Sequence, residues 1–386
     1  MANADHIRIL ADDLTGALDT AAAFSGEVPV FIDTPPAIDS PYRQAPVSVV
    51  MTPTRDVPVD TLPNALAPTL EWFTSGTLAY KKVDSLLRGN TFAEIAWLHT
   101  HGDFAATIFA PAFPAQGRIT TDNRQWVAKP GEARQPVASP LREAFAAFGL
   151  STGPTEQSSV WIPDVLDDNA LDRIACRLDE PTPPTYLWCG SAGLGQAIAR
   201  RCGLIPQATA SEPGSRRTGP IILISASFQP VLYAQWDALK AAMPTPAIAE
   251  RARPDEMARA LEQARNGATQ AWFDLSPRRE MTQEESLALL QGNLDQLVAG
   301  LPSPGQVMIV GGDTLLGLCR ATGAEALLAG ASIRNGWGCA TLVGGRWNGV
   351  RCHSRSGAFG GPDDLIEMMR LLAGSGQSGA LTEKGK

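Results

Sequence analysis

The sequence predicts an α/β protein of two domains, each with a largely parallel sheet flanked by helices. Short apolar runs alternate with longer segments of helical periodicity, which is the pattern of consecutive βαβ units. At 386 residues the chain is too long for one compact core. Residues 205–220 carry almost no large apolar side chains, so we expect a linker there, between domains over 1–204 and 221–373.

The composition is that of an ordinary globular protein, with 44% hydrophobic and 19% charged residues. A formal net charge of −8 and the lack of a Lys and Arg cluster argue against a nucleic-acid partner. We find neither a signal peptide nor a run of about 18 apolar residues, so we expect no membrane contact and a cytoplasmic location. The six cysteines lack zinc spacing, and no protein-held metal site is expected.

The first predicted strand covers residues 7–10 and ends in the acidic turn Asp12-Asp13, before an Ala-rich helix over 17–24. In open α/β sheets the carboxyl ends of the strands form the edge where ligands bind. A helix N-cap would explain one of the two carboxylates but not both. Asp12 and Asp13 are therefore candidate catalytic groups.

Two more strands follow, over 29–33 and 46–51, and the second of them leads to Arg55. Parallel strands place this arginine at the same edge as the two aspartates. Its guanidinium could clamp a substrate carboxylate through a bidentate fork, or could pair with Asp13 or Asp56. The sequence leaves both roles open.

A second polar cluster follows a helix over 63–75 and a strand over 78–83, and it precedes a helix over 91–99. Its members lie within nine positions of the chain: Lys82, Asp84, Ser85, Arg88 and Asn90. A solvated turn with an N-cap is the common explanation for such a cluster. That explanation does not account for cations and a carboxylate at another strand end, so we favour an anionic-ligand site.

Between this cluster and the linker, a strand over 106–110 leads to Pro111 and Pro114, which predict no helix start there, and to a turn at Gly117. Residues 119–140 lack periodicity and are expected to form an ordered loop or small insertion facing the site, or only a surface excursion. The alternation then continues with a strand over 161–165, a helix over 168–178, a strand over 185–189 and the Gly190-Ser191-Ala192-Gly193 turn. That turn could offer N–H groups to a phosphate or only allow close packing.

The second half alternates in the same way, with a strand over 221–224, helices over 231–242 and 254–266, a strand over 270–275, a helix over 282–299 and a strand over 306–310. Ser225-Ala226-Ser227 follows the first of these strands, and Gly311-Gly312-Asp313-Thr314 follows the last. Glycines and the first N–H groups of a helix suit the approach of a phosphate. The turn matches neither the P-loop nor the dinucleotide-binding fingerprint.

A second glycine-rich loop, over 354–361, precedes the last predicted helix, which ends at 372. It contains Gly357 and Gly360 and could wrap a nucleotide or simply turn the chain. Residues 374–386 are expected to be a flexible tail.

Taken together, these motifs resemble the four-carbon acid sugar kinases, which combine an N-terminal sugar-acid-binding domain with a C-terminal nucleotide-binding domain. The resemblance rests on six segments that come in the family's order and span nearly the whole chain: 11–17, 81–90, 110–118, 190–194, 311–314 and 356–360. It implies that the first domain binds the sugar acid and the second binds the nucleotide. The active site would then lie in the inter-domain cleft.

The resemblance further implies ATP-dependent phosphorylation of the terminal hydroxyl of a small sugar acid, such as threonate, erythronate or a 3-oxo acid, with Mg²⁺ at the phosphates. One carboxylate would accept the hydroxyl proton, and the candidates are Asp12, Asp13 and Asp84. The residues that would hold the substrate are, besides these, Arg55, Lys82, Ser85 and Arg88. The residues that would hold ATP are Ser225 or Ser227, Gly311, Gly312, Asp313, Thr314, Gly357 and Gly360.

The chain departs from the family pattern in three places. Ala226 stands where the family usually has a glycine between two serines, and Arg355 stands where a lysine is usual. The family's Pro-Gly-Val-Pro segment is not recognisable in 331–338.

Two other functions stay open: a regulatory protein that binds a nucleotide and a metabolite, and an Asp-dependent phosphohydrolase, whose start needs alternate rather than adjacent aspartates. A homodimer is the usual expectation for the oligomeric state.

Overall fold

The computed structural model describes residues 6–128, 132–153, 158–180, 185–206, 219–243, 247–277, 279–334 and 336–374. These residues fall into two compact units, one formed by the described residues before 210 together with Leu328–Gly330, and the other by the rest. Residues 207–218 of the predicted linker and the predicted tail from 375 onward lie outside the described residues. The inter-domain position of the active site stays a prediction.

The first unit alternates strands and helices, as the sequence predicts. In chain order its elements are β1 (Ile7–Ala11), α1 (Leu14–Ala21), β2 (Val28–Ile32), β3 (Val47–Met51), α2 (Leu62–Thr74), β4 (Leu78–Lys82), α3 (Thr91–His101), β5 (Ala106–Ala110), β6 (Arg118–Thr121), β7 (Arg124–Val127), β8 (Gln135–Pro136), α4 (Leu141–Ala146), β9 (Val160–Trp161), α5 (Asp168–Ala175), β10 (Tyr186–Gly190) and α6 (Ala192–Arg201). Short 3-10 helices lie at Val59–Thr61, Pro114–Gln116 and Cys176–Asp179.

The main sheet of this unit is parallel and has the strand order β2-β3-β1-β4-β10-β5-β9. Strands β1, β3 and β5 are buried along their whole length, as expected of a parallel sheet whose two faces are covered by helices. In the sheet register Ala11 lies level with Met51 of β3 and with Lys82 of β4. The loops that follow these three neighbouring strands therefore leave the sheet at one edge.

The segment from 111 to 140 differs from the sequence prediction. A 3-10 helix begins at Pro114, because proline lacks only an N–H group that the first helical turn does not use. Residues 119–140 contain most of a small antiparallel sheet of β6, β7 and β8, in which Thr120 pairs with Gln125. These strands have four residues or fewer, which is too short for a clear alternation of apolar and polar residues.

The second unit is also an α/β structure. Its elements are β11 (Ile221–Ser225), α7 (Pro230–Ala242), β12 (Ile248–Ala249), α8 (Pro254–Arg265), β13 (Gln270–Asp274), α9 (Gln283–Gly300), β14 (Gln306–Val310), α10 (Gly312–Thr322), β15 (Ala326–Arg334), β16 (Trp337–Val343), β17 (Arg351–Arg355) and α11 (Asp364–Gly374). The strand order is β12-β13-β11-β14-β17-β16-β15, and Leu328–Gly330 within β15 are the residues counted with the first unit. The first five strands are parallel, and β16 runs antiparallel to β17.

Strands β15 to β17 were not predicted, because their sequences hold small and polar residues rather than runs of β-branched ones. Pairing within the sheet, and not local preference, makes them strands. The register places Ser225 of β11 and Arg355 of β17 level with Val310 of β14. The loops after these three strands thus share one edge, which holds the predicted nucleotide motifs. No helix in the described ranges has the length and apolarity needed to cross a membrane.

Candidate functional site

The loops after β1 and β3 bring Asp12, Asp13 and Arg55 together. Arg55 Nε donates to Asp12 Oδ2 at 2.9 Å, and Arg55 Nη2 donates to Asp12 Oδ1 at 3.0 Å. The same Nη2 also donates to Asp13 Oδ1 at 2.7 Å. The ion pair of Arg55 with Asp13 is therefore present, together with a bidentate pair with Asp12, while the clamp on a substrate carboxylate stays a prediction.

The two aspartates differ in exposure. The side chain of Asp12 is 3% exposed and that of Asp13 is 26% exposed. Burial by itself raises the pKa of Asp12, but the charge of Lys81 and the hydrogen bonds from Arg55 outweigh it and lower the pKa overall. Asp12 is thus an ionised anchor for Arg55, whereas Asp13 keeps a carboxylate surface that a ligand can reach.

The loop after β4 carries a second ion pair between an aspartate and an arginine. Arg88 Nη2 donates to Asp84 Oδ1 at 3.2 Å, and Arg88 Nε donates to Asp84 Oδ2. Burial would raise the pKa of Asp84, but the hydrogen bonds and charge of Arg88 lower it overall. The Arg88 side chain is 63% exposed, so part of its guanidinium faces solvent.

Two residues of this loop hold it against the Arg55 loop. Gly89 has φ +75°, and a Cβ there would lie 2.5 Å from the carbonyl oxygen of Arg55, so only glycine permits this close approach. Asn90 Nδ2 donates to the carbonyl oxygens of Thr54 and Val57, both at 2.8 Å. Asn90, which the sequence placed in the polar cluster, therefore positions the Arg55 loop.

The neighbouring lysines of β4 take different places. A Cβ on Gly16 would lie 2.7 Å from Lys82 Nζ and 2.5 Å from Asp13 Oδ1, so both groups converge over the first turn of α1. Lys81 forms a fully buried ion pair with Glu94 of α3. The alternation of a strand explains why the two ammonium groups separate. The sequence analysis did not single out this buried pair, although strand alternation predicts that Lys81 and Lys82 point to opposite faces of the sheet.

Arg118 is a further residue of this site that sequence reasoning did not assign, although it stands in one of the motifs of the resemblance. It opens β6, and its Nη1 donates to Ser85 Oγ at 2.8 Å. The structure thus brings Asp12, Asp13 and Arg55 together with Lys82, and Asp84 with Ser85, Arg88 and Arg118. These side chains lie at the carboxyl edge of β3, β1 and β4, and the ion pairs among them are those of Arg55 and Arg88 with aspartates.

In the second unit the two candidate serines have different surroundings. Ser225 is fully buried, and its Oγ accepts a hydrogen bond from Trp236 Nε1 at 2.9 Å. Ser227 lies against Gly357, where a Cβ would come within 2.1 Å of Ser227 Oγ. The loops after β11 and β17 therefore touch at Ser227 and Gly357, and Ser225 supports the packing beneath them.

The Gly311-Gly312-Asp313-Thr314 turn leads from β14 into α10, which begins at Gly312. Gly311 has φ +113°, and its N–H donates to the carbonyl oxygen of Arg355 at 2.9 Å. Asp313 is exposed and Thr314 is buried. The first N–H groups of α10 have no partner within the helix, which makes this turn suited to an anion.

Arg355 is turned into the protein rather than toward this edge. Its Nη1 donates to the carbonyl oxygens of Ser356 at 2.9 Å and Phe359 at 2.8 Å, and its Nε pairs with Asp364 at 2.9 Å. Burial lowers the pKa of Arg355 to about 10. Arg355 therefore shapes the loop that contains Gly360, where a Cβ would lie 2.7 Å from Asp364 Cγ.

Residues 7–151 match the model of a sugar-binding N-terminal domain. A D-threonate kinase of Bordetella bronchiseptica is 27% identical to this chain over 95% of this chain and 97% of its own length. A D-threonate kinase of Salmonella typhimurium is 27% identical over 49% of this chain and 52% of its own.

Two solved structures share the fold. A Salmonella typhimurium LT2 protein has a TM-score of 0.70 at 17% identity, with 95% of this chain and 99% of that one covered. A Haemophilus influenzae protein of the DUF1537 family has the same TM-score and identity, with 94% and 99% covered. The resemblance to the four-carbon acid sugar kinases, predicted from six motifs, is thereby confirmed: residues 7–151 match the model of a sugar-binding N-terminal domain, and the D-threonate kinase of Bordetella bronchiseptica is similar over nearly the whole chain.

Proposed function

We propose that this protein is an ATP-dependent kinase that phosphorylates the terminal hydroxyl of a small sugar acid, such as threonate, erythronate or a 3-oxo acid. The observation that carries the proposal is the set of paired charges at the carboxyl edge of β3, β1 and β4, within the segment that matches a sugar-binding domain. The names of the D-threonate kinase relatives support the same reaction class.

Phosphoryl transfer depends on positioning and charge neutralisation more than on covalent chemistry. Asp12 and Asp84 each accept two hydrogen bonds from an arginine side chain, which commits them to holding Arg55 and Arg88. Asp13 is the more exposed of the first pair and lies beside Lys82. We assign to Asp13 the acceptance of the proton from the attacking hydroxyl, and to Lys82 the binding of a substrate oxygen.

ATP would bind at the edge formed by the loops after β11, β14 and β17. Ser227 and Gly357 bring two of these loops into contact, and the turn at Gly311–Thr314 offers the N-terminus of α10 to a phosphate. Among the described residues there is no group of three or more His, Cys, Asp or Glu side chains that could hold a metal. We expect Mg²⁺ to arrive with ATP, since Mg²⁺ needs only one or two carboxylates beside phosphate and water, and Asp313 would supply one. When bound, Mg²⁺ would neutralise phosphate charge.

The phosphohydrolase alternative needs an exposed aspartate nucleophile at the end of β1. Asp12 is buried and both of its oxygens accept hydrogen bonds from Arg55, which makes it a poor nucleophile. Asp13 is more exposed, but it follows Asp12 directly, whereas this class of enzyme needs alternate aspartates. The regulatory alternative predicts binding of both ligands without turnover. The expected homodimer and cytoplasmic location stay predictions.

A coupled assay that follows ADP formation tests the proposal. The purified full chain is incubated with ATP, Mg²⁺ and a panel of C4 and C5 sugar acids that includes D-threonate and D-erythronate. We expect turnover with at least one acid, and a phosphorylated product by mass spectrometry. Binding of ATP without turnover of any acid would reject the kinase and favour the regulatory protein.

A further inference from the structure

The site of the first unit has one arginine more than its ion pairs use. Each buried carboxylate has its own cation: Asp12 pairs with Arg55, Asp84 pairs with Arg88, and Glu94 pairs with Lys81. Arg118 lies at the same edge, through its contact with Ser85, but it forms no ion pair with any residue that the structure describes. The site therefore holds a guanidinium without a carboxylate partner.

The partners that Arg118 does have are neutral. Its Nη1 donates to Ser85 Oγ at 2.8 Å and to Gln116 Oε1. Its Nε is buried and makes no hydrogen bond within the described part of the chain. Burial lowers the pKa of Arg118, the nearby charge of Asp84 opposes that shift, and the charge of Arg88 adds to it. A partly buried guanidinium with neutral partners has donors and charge left for an anion.

Arg118 is held in place by the hairpin of β6 and β7. Gln125 of β7 is buried, and its Nε2 donates to the carbonyl oxygens of Ser85 at 2.9 Å and Pro111 at 3.3 Å. Thr120 Oγ1 donates to Gln125 Oε1 at 2.6 Å. The hairpin is thus anchored to the loop that contains Asp84 and Ser85, so it faces the site and is more than a surface excursion.

We propose that Arg118 binds the carboxylate of the sugar acid, next to the exposed guanidinium of Arg88, and so selects acids over neutral sugars. This inference rests on the proposed function, because it names the residue that binds the carboxylate of the proposed substrate. A neutral polyol would leave the charge of Arg118 without a counter-ion, whereas a carboxylate accepts hydrogen bonds from a guanidinium through two oxygens.

The test measures the binding of D-threonate by isothermal titration calorimetry without ATP, and steady-state kinetics with D-threonate and with threitol, its neutral polyol counterpart. We expect Arg118→Met to raise the Kd and KM for D-threonate about 10- to 100-fold, the cost of a hydrogen bond to a charged group. The KM for threitol should stay unchanged, and Arg118→Lys should recover part of the affinity. Arg124→Met is the matched control, because Arg124 lies at the other end of the same hairpin, and we expect it to bind D-threonate normally.

Normal D-threonate affinity in Arg118→Met, with an unchanged preference for acid over polyol, would overturn the inference. If Arg118→Met does not fold, Arg118→Lys decides by the same readouts, and wild-type affinity in that variant overturns the inference. Binding of D-threonate by the wild type without turnover would reject the kinase but leave the calorimetric test of Arg118 intact. If the wild type binds neither D-threonate nor another acid of the panel, both proposals fail.

Discussion

The two predicted ligand edges lie at equivalent places, after the carboxyl ends of parallel strands, but different chemical groups line them. In the first unit the edge carries ionised side chains, and Arg55 joins Asp12 and Asp13 there with 17% of its side chain exposed. In the second unit glycines and backbone groups line the edge, and the arginine at its end of β17, Arg355, is wholly buried.

The difference shows that arginines at strand ends can have different structural roles. Arg55 and Arg355 both follow or end a buried parallel strand, and both pair with an aspartate. Arg55 pairs with groups at the edge of the sheet, whereas Arg355 donates to carbonyl oxygens of its own loop. On the proposed function, the first arrangement would bind a small hydroxy acid through charged side chains, and the second would bind a phosphate through backbone N–H groups.

The largest expected effect comes from Asp13 in the charged edge. If Asp13 accepts the hydroxyl proton, Asp13→Asn should lower kcat about 10²- to 10⁴-fold in the coupled assay, because general base catalysis contributes about that much. Calorimetry should show an unchanged Kd for ATP. Asp56→Asn, an exposed aspartate of the Arg55 loop, is the matched control and should keep full activity. Unchanged kcat in Asp13→Asn would show that the proton goes elsewhere.

A smaller effect, on stability, is expected from Arg355 in the glycine-rich edge. Arg355→Met leaves the buried carboxylate of Asp364 without one of its cations, which should lower the free energy of unfolding of the second unit by about 3–5 kcal/mol. Urea unfolding followed by tryptophan fluorescence measures this, since Trp337 packs against the guanidinium. Arg351→Met, at a half-buried arginine of the same strand, should change stability little. Wild-type stability combined with lost ATP binding would instead make Arg355 a phosphate ligand.

The smallest effect is expected from a single methyl group at the contact of Ser227 and Gly357. The Cβ in Gly357→Ala would lie 2.7 Å from Ser227 Cβ, so the two loops must separate, at a cost of about 1–3 kcal/mol. We expect the Kd for ATP to rise about tenfold or more, with D-threonate binding unchanged. In Gly361→Ala the new Cβ meets no described atom within 4 Å, and ATP binding should stay normal. Equal affinities in the two variants would place ATP away from Gly357.

Much of the fold could be predicted because the parallel strands are short apolar runs with helices between them. The strands β1, β3, β5 and β14 are buried and carry the apolar residues that the prediction used. The hairpin of β6 and β7 and the antiparallel strands β16 and β17 were missed. Their short or polar sequences become strands only through partners elsewhere in the chain, which local periodicity does not record.

The candidate site was predictable to the same degree. Adjacent aspartates after β1 and a cation-rich cluster after β4 are visible as residues, and parallel topology predicts that they share an edge. The choice among roles was not visible. Arg55 with its two aspartates and Asn90 with two carbonyl oxygens are pairings between loops more than 30 positions apart, and several partners of similar chemistry compete for each.

By itself the sequence determined the α/β class, the parallel direction of the strands that end in polar turns, and the residue types that collect at their carboxyl edges. These follow from periodicity and from the chirality and connection rules of parallel sheets. Only the tertiary structure decided that Asp12 is buried under Arg55 while Asp13 stays exposed, that Arg355 faces inward, and that Arg118 reaches Ser85. Burial and pairing depend on which loops meet in space, and that is a property of the packed chain.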